Sequence, residues 1–135
     1  MITYFWSKYQ YGFWRPVTAI REAGALHNPA LVPDTTWLPL VTKTTPDPSY
    51  PGAHAGESAA SATVLQNFFG TNDFSFTVTS EVLPGVTRSF THFSDAETDA
   101  TNSRVFAGQH FRTDENAGHI QGFRVADLIV DNFLR

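Results

Sequence analysis

Lys8 and Arg15 lie seven residues apart in an aromatic stretch. On one continuous helix their side chains would differ by about 20° in azimuth and point the same way, two turns apart. Alone, such a pair reads as two snorkelling surface cations. Its neighbours Tyr9, Tyr11, Phe13 and Trp14 make a poor solvated face, however, and two cations in that setting suit an anion. A second group is Tyr50-Pro51-Gly52-Ala53-His54, a small-residue turn that delivers a histidine to the start of a helix. Amides at a helix N-terminus bind anions, and Gly52 with Ala53 leaves room for close approach. A histidine there can act as general acid or base because its pKa lies near neutrality. The third group runs from Ser103-Arg104 to His110 and Asp114. On one helix Arg104 and His110 would be about 240° apart, so they share a site only if the helix ends near Gly108 and the chain turns there. Asp114 could then accept from the ring nitrogen of His110 that is not otherwise engaged and fix its tautomer.

The elements that must position these residues are mainly helical. Phe5, Tyr9, Phe13 and Ile20 recur as in a mostly buried helix from Tyr4 to about Ala23, which Pro16 should kink or divide. Six prolines between Gly24 and Pro51 predict a long ordered loop, of the kind that is usually functional. Ala53 to Phe69 reads as a helix of small residues that packs closely on its neighbours, with Gly70 as C-cap. Phe74–Val78 and Thr87–Phe93 alternate with period two around Leu83-Pro84-Gly85, as in a short β-hairpin. Ser94 with Glu97 reads as a capping box opening a helix through about Phe106, and a last helix should run from about Thr113 to Phe133. The expected fold is a helical bundle with a small β-hairpin insertion and a long Pro-rich loop, in a single domain over residues 1–135.

With 135 residues, 41% hydrophobic, 14% aromatic and 16% charged, the chain can fill a core, which excludes disordered and fibrous classes. Its net charge of −4 gives no general attraction to nucleic acid or an anionic membrane, so a bound anion needs a local basic pocket. The absence of cysteine excludes thiolate catalysis and Cys-ligated metals. No run approaches the roughly 18 consecutive apolar residues of a membrane span. The chain therefore reads as soluble and leaves its compartment open, a secreted or periplasmic setting being compatible with it. It opens on Ile2-Thr3-Tyr4-Phe5-Trp6 without a leader-like segment, as though sequence preceded it.

Together, Lys-x6-Arg-Pro (Lys8, Arg15, Pro16), Pro-x-x-His (Pro51, His54) and Ser-Arg-x5-His-x3-Asp (Ser103, Arg104, His110, Asp114) form a three-part pattern spanning most of the chain. It resembles the signature of the superfamily that joins vanadium-dependent haloperoxidases and type 2 phosphatidic acid phosphatases. Phe13-Trp14-Arg15-Pro16, Tyr50–Ala55 and Ser103–Arg112 look like the soluble haloperoxidase branch. The resemblance implies that Lys8, Arg15 and Arg104, with Gly52 and Ala53, hold the oxygens of vanadate, or of phosphate in the same site. His110 would be the axial ligand of vanadium, or the nucleophile on phosphorus in a phosphatase, and His54 the acid/base group. The implied enzyme uses vanadate and hydrogen peroxide to oxidise halide to hypohalous acid, which halogenates an organic acceptor. The alternatives are a phosphomonoester hydrolase of the acid-phosphatase type and an oxyanion-binding remnant without turnover.

Two departures stand out. The family's second motif usually reads Pro-Ser-Gly-His, so Gly52-Ala53 lacks a serine hydroxyl, although the Ala53 amide can still donate. Asp47 stands where haloperoxidases are expected to carry an aromatic residue or histidine, and a carboxylate facing the pocket would repel halide. Family members are generally longer, with further helices before the first motif. A bundle short of those helices would expose apolar faces and favour a homo-oligomer. His27, His92 and His119 match no motif and read as loop or surface, Glu57 and Glu97 as helix-start residues complementing the macrodipole, and Arg112 and Arg124 as solvated.

Overall fold

Small side chains decide how the helices meet. The computed structural model describes residues 2–41 and 43–134. The elements are α1 (Ile2–Tyr11), α2 (Pro16–Arg21), a 3-10 turn (Ala23–Leu26), α3 (Ala53–Phe69), β1 (Asp73–Thr79), β2 (Thr87–His92), α4 (Phe93–Phe106) and α5 (Arg112–Phe133). The most extensive packing is α3 on α5, followed by α3 on α4. Ala55, Ala59 and Ala62 are buried on α3, and Gly118, Gly122 and Ala126 on α5. A Cβ built on Gly118 would lie 2.0 Å from the Gly52 carbonyl oxygen, and one on Gly122 would lie 2.0 Å from that of Gly56. The two backbones therefore touch, which only glycine permits at those positions.

The aromatic side chains go elsewhere. β1 and β2 pair antiparallel, with Phe76 opposite Phe90 and an irregularity between Asp73 and Phe76. Phe69, Phe74 and Phe76 converge on buried Phe93, with ring centroids 5.1–5.9 Å apart, so the hairpin is fastened where α3 ends and α4 begins. The hairpin, the helix ending at Gly70 and the Pro-rich loop match the sequence expectation.

Three local expectations are corrected. The first helical stretch divides before Pro16, as expected, but it is not mostly buried and its first part already ends at Gly12: α1 stops at Tyr11, Gly12 takes φ 59°, and α2 begins at Pro16 with Arg15 extended at its N-cap. Pro16 suits the first turn of a helix, where its missing N–H costs nothing. Only Tyr4, Ser7 and Lys8 of α1 are buried. Second, α4 is capped two residues earlier than Ser94 and Glu97 suggest: Asp95 Oδ2 accepts from the His92 amide at 3.1 Å and contacts its Nδ1 at 2.8 Å. Third, Glu97 is a buried acceptor, 2.8 Å from His119 Nδ1 and 3.2 Å from the Thr101 hydroxyl, and not a helix-start residue complementing the macrodipole.

Candidate functional site

Lys8 and Arg15 do converge, but not because they share a helix face. The break at Gly12 turns the chain, and the Ser49 amide donates to the Phe13 carbonyl at 2.8 Å, drawing the Pro-rich loop over both cations. Lys8 is 1% exposed. Its Nζ donates to the carbonyls of Pro48 and Ser49 and lies 3.0 Å from Asp47 Oδ2. The Arg15 guanidinium donates to the Asp47 carbonyl, the Thr45 hydroxyl, the Gln109 carbonyl and the same Asp47 Oδ2, the last at 3.1 Å. Burial lowers the pKa of Lys8 and the Arg15 charge lowers it further, while Asp47 opposes both. Asp47 titrates below its usual value: burial opposes this, but Thr45, Lys8 and Arg15 outweigh it. The aromatic neighbours do not wrap the cations, since Tyr9, Tyr11 and Phe13 are exposed; backbone carbonyls surround them instead.

The third group is assembled by a turn. α4 ends at Phe106, Gly108 takes φ 72°, and the Gln109 amide returns to the Arg104 carbonyl at 3.0 Å. A Cβ on Gly108 would sit 2.7 Å from the Trp37 ring, so both the backbone angle and the space demand glycine. The turn delivers His110, 4% exposed, with Nε2 at 3.1 Å from Arg15 Nη1. Guanidinium can only donate, so Nε2 carries the lone pair and the neutral ring holds its proton on Nδ1. Burial lowers the His110 pKa, as do Arg15 and Lys8, against the pull of Asp114.

Asp114 contacts His110 less directly than its spacing suggests. Nδ1 to Oδ2 is 3.6 Å, too long for a hydrogen bond, and the buried Ser49 hydroxyl stands beside both, donating to Asp114 Oδ2 at 2.5 Å and 3.4 Å from Nδ1. Asp114 also accepts from the Phe111 amide at 3.0 Å and so caps α5. These bonds and the His110 ring hold its pKa below the usual carboxylate value against the opposing effect of burial.

Gly52 and Ala53 play different parts. The Gly52 amide donates to the Asp114 carbonyl at 2.8 Å, so it is committed to joining α3 to α5. The first intrahelical bond of α3 runs from Gly56 to Gly52, and the amides of Ala53, His54 and Ala55 form the open helix start. His54 is exposed overall. Desolvation of its ring is nonetheless the largest cause lowering its pKa; Arg104, His110 and Lys8 add to it, and Glu57 opposes it. The Arg104 Nε is buried without a partner, and its charge bears on Arg15, His54 and Glu115 alike.

Sequence reading missed Ser49, Gln109 and Glu115. Gln109, 1% exposed, accepts from Arg15 through its carbonyl and donates its side chain to the Val41 carbonyl at 2.7 Å. Glu115 is fully buried, its Oε1 is 3.6 Å from His110 Nδ1, and neither of its oxygens has a hydrogen-bond partner. Burial raises its pKa to about 7, with Arg104 opposing. A Cβ on Gly52 would meet Glu115 Oε1 at 2.3 Å, so that glycine makes room for this carboxyl. In sequence, Asp114-Glu115 at a helix start reads as ordinary complement to the macrodipole, which conceals the burial. Among the described residues no group of three or more His, Asp or Glu could hold a metal cation, and no helix is long and apolar enough to cross a membrane.

The family model of the VCPO second helical-bundle domain matches residues 1–135. Among solved structures, a bacterial vanadium-dependent iodoperoxidase is similar at 33% identity and a TM-score of 0.78, over 92% of this chain and 28% of its own. A bacterial vanadium-dependent chloroperoxidase shares the fold in its holo and apo forms, at 19% and 18% identity and TM-scores of 0.61 and 0.60. The match covers 72% of this chain and 23% of the chloroperoxidase in each form. The chain thus spans under a third of either protein's length. No curated protein matches it.

Proposed function

Because the chain belongs to the family of the VCPO second helical-bundle domain, we propose that its buried cluster is the oxyanion site of a vanadium-dependent haloperoxidase. One observation carries the reading: two buried cations converge on Asp47, and one of them, Arg15, also lies 3.1 Å from Nε2 of the buried His110, which bears a lone pair. The donor set fits the group. Lys8, Arg15 and Arg104 bring three positive charges, the buried Arg104 Nε has no protein partner, and His110 Nε2, now facing Arg15, could be given over to the ligand. Vanadate held there would supply the oxidation of halide by hydrogen peroxide.

The chain's own residues would divide the work. Lys8, Arg15 and Arg104 bind and neutralise oxyanion oxygens, assisted by the Ala53 amide. His110 Nε2, which in this structure faces Arg15, would be the nitrogen given to the ligand, and Ser49 with Asp114 keeps the ring oriented and its Nδ1 protonated. His54, with its lowered pKa, is neutral at neutral pH and available to accept a proton at the edge of the site. Residues 1–135 act as one helical-bundle domain, and the substrates are small molecules: hydrogen peroxide, halide and an organic acceptor.

A second reading has one observation in its favour. The Asp47 carboxylate lies between Lys8 and Arg15 and would repel a halide ion, which suits a phosphomonoester hydrolase in which His110 Nε2 attacks phosphorus, the alcohol leaves with a proton from the protonated form of His54, and water then frees phosphate from His110. The deciding experiment is bromination of a phenolic dye with hydrogen peroxide and bromide, with and without orthovanadate. Vanadate-dependent bromination that is lost in His110→Ala is expected. Release of phosphate from a simple monoester, inhibited by vanadate and without bromination, would replace the first reading by the second, and neither activity would leave an oxyanion-binding remnant.

A further inference from the structure

The donors of Lys8 and Arg15 are already spent. An ammonium has three N–H groups and a guanidinium five. Lys8 meets three acceptors: the Pro48 and Ser49 carbonyls and Asp47 Oδ2. Arg15 meets six with its five N–H groups: the Asp47 carbonyl from Nε, the Gln109 carbonyl and His110 Nε2 from Nη1, and the Thr45 hydroxyl, Asp47 Oδ2 and, at 3.5 Å, the Pro48 carbonyl from Nη2. An entering oxyanion therefore cannot add to these cations; it has to replace something. Giving His110 Nε2 to the ligand would free one Arg15 donor and none on Lys8, and the carbonyls of Ser49 and Gln109 belong to segments tied down by the Ser49 amide on Phe13 and the Gln109 amide on Arg104. Asp47 differs on three counts. It is the one anion both cations share, its side chain is 21% exposed and so reachable by water, and it lies on the loop between Leu26 and Ala53, outside any helix or strand.

We infer that Asp47 is a resident anion of the site, and that oxyanion binding is an exchange in which its carboxylate swings off Lys8 and Arg15 as the ligand takes its place. The inference rests on the oxyanion reading above and deepens it. Exchange follows from charge: an oxyanion beside an undisplaced Asp47 would set like charges against each other in a poorly hydrated pocket. Exchange keeps both cations paired throughout. It also makes Asp47 a specificity-determining residue, because only an anion that outcompetes a chelating carboxylate on two cations at once enters; a multiply charged oxyanion does so and a single halide ion does not.

The test compares binding of orthovanadate, inorganic phosphate and bromide to the wild-type chain and to Asp47→Asn by calorimetry, with circular dichroism to verify folding. Asp47→Asn is expected to bind orthovanadate and phosphate about tenfold or more tighter and to gain measurable bromide affinity. Equal or weaker oxyanion binding by a folded Asp47→Asn overturns the exchange while leaving the oxyanion site standing. Failure of both proteins to bind either oxyanion removes the site itself. Should the variant not fold, the wild type decides alone. Lys43 is exposed on the same loop, and saturating phosphate is expected to speed tryptic cleavage after it, because the released loop opens. Unchanged or slower cleavage overturns the exchange.

Discussion

His110 and its neighbours show how single side chains set each other's state. Arg15 can only donate, which fixes the lone pair on Nε2 and the proton on Nδ1, and leaves Ser49 and Asp114 on the proton-bearing side. Ser49 is fully buried and gives Asp114 a donor in a place where the other Asp114 oxygen has none. Ser49→Ala is expected to cost about 1.5–3 kcal/mol, the usual worth of a hydrogen bond to a charged group, measured by urea unfolding. Glu115 gives a pH signature. Its carboxyl pKa rises from an ordinary 4.5 to about 7 on folding, chiefly through burial. The folded state thus binds the extra proton, and this contribution to stability is intact below pH 4.5 and lost as pH rises to about 7. The loss is on the order of 3 kcal/mol. Glu115→Gln, which cannot ionise, is expected to remove that decline when unfolding is followed at pH 5 and pH 8. An unchanged decline in the variant would assign the pH dependence to another group.

At the scale of elements, the α3–α5 contact bears the site. Gly52 of the turn entering α3 meets Asp114 and Glu115 of α5, and Gly118 and Gly122 continue the contact one and two turns on. Glycine in a helix interior is ordinarily about 1 kcal/mol worse than alanine, so Gly→Ala on an open helix face stabilises. Here the sign is expected to reverse: Gly122→Ala would drive a methyl to 2.0 Å from the Gly56 carbonyl oxygen. The helices must separate, at a cost of roughly 3 kcal/mol or more, and the melting temperature should fall by about 10 °C or more. A stabilised Gly122→Ala protein would show that the helices do not touch. Gly108→Ala tests the other junction, where φ 72° and the Trp37 ring both oppose a Cβ. It is expected to lower oxyanion affinity as well as stability, because the same turn aims His110.

The molecule as a whole is rich in uncovered apolar surface. Its accessible area is 8970 Å², against roughly 7,000 Å² expected for a folded chain of 15.0 kDa. Ile2, Trp6, Val32, Leu40, Phe68, Val82, Phe106 and Phe133 are all more than two-thirds exposed. The buried hydrophobic residues are six alanines beside Tyr4 and Phe93 among the described residues, so the close helix contact gains proximity and little bulk. The chain by itself is expected to bind a hydrophobic dye and to self-associate with rising concentration, as read by light scattering. A monodisperse monomer at high concentration, without dye binding, would contradict this.

The fold class and the candidate site were both legible in the sequence, for different reasons. Small-residue runs, period-two alternation and the Gly70 and Gly108 stops are local rules of backbone geometry, and the helix, the hairpin and the turn that brings His110 toward Arg15 obey them. The spacing of Lys8, Arg15, His54, Arg104, His110 and Asp114 named the family that the whole-chain match bears out. Their roles stay a proposal. What the sequence could not supply was who faces whom across long stretches of chain. Lys8 and Arg15 meet through Asp47, more than 30 residues on, and not through a shared helix face, because Gly12 ends the first helix. Ser49 stands beside His110 and Asp114 from 61 and 65 residues away, and Glu115 is buried because Gly52 leaves it room. Burial and charge pairing are properties of the packed chain: a carboxylate reads the same in sequence whether water or a buried cation surrounds it, and only the tertiary contacts decide which.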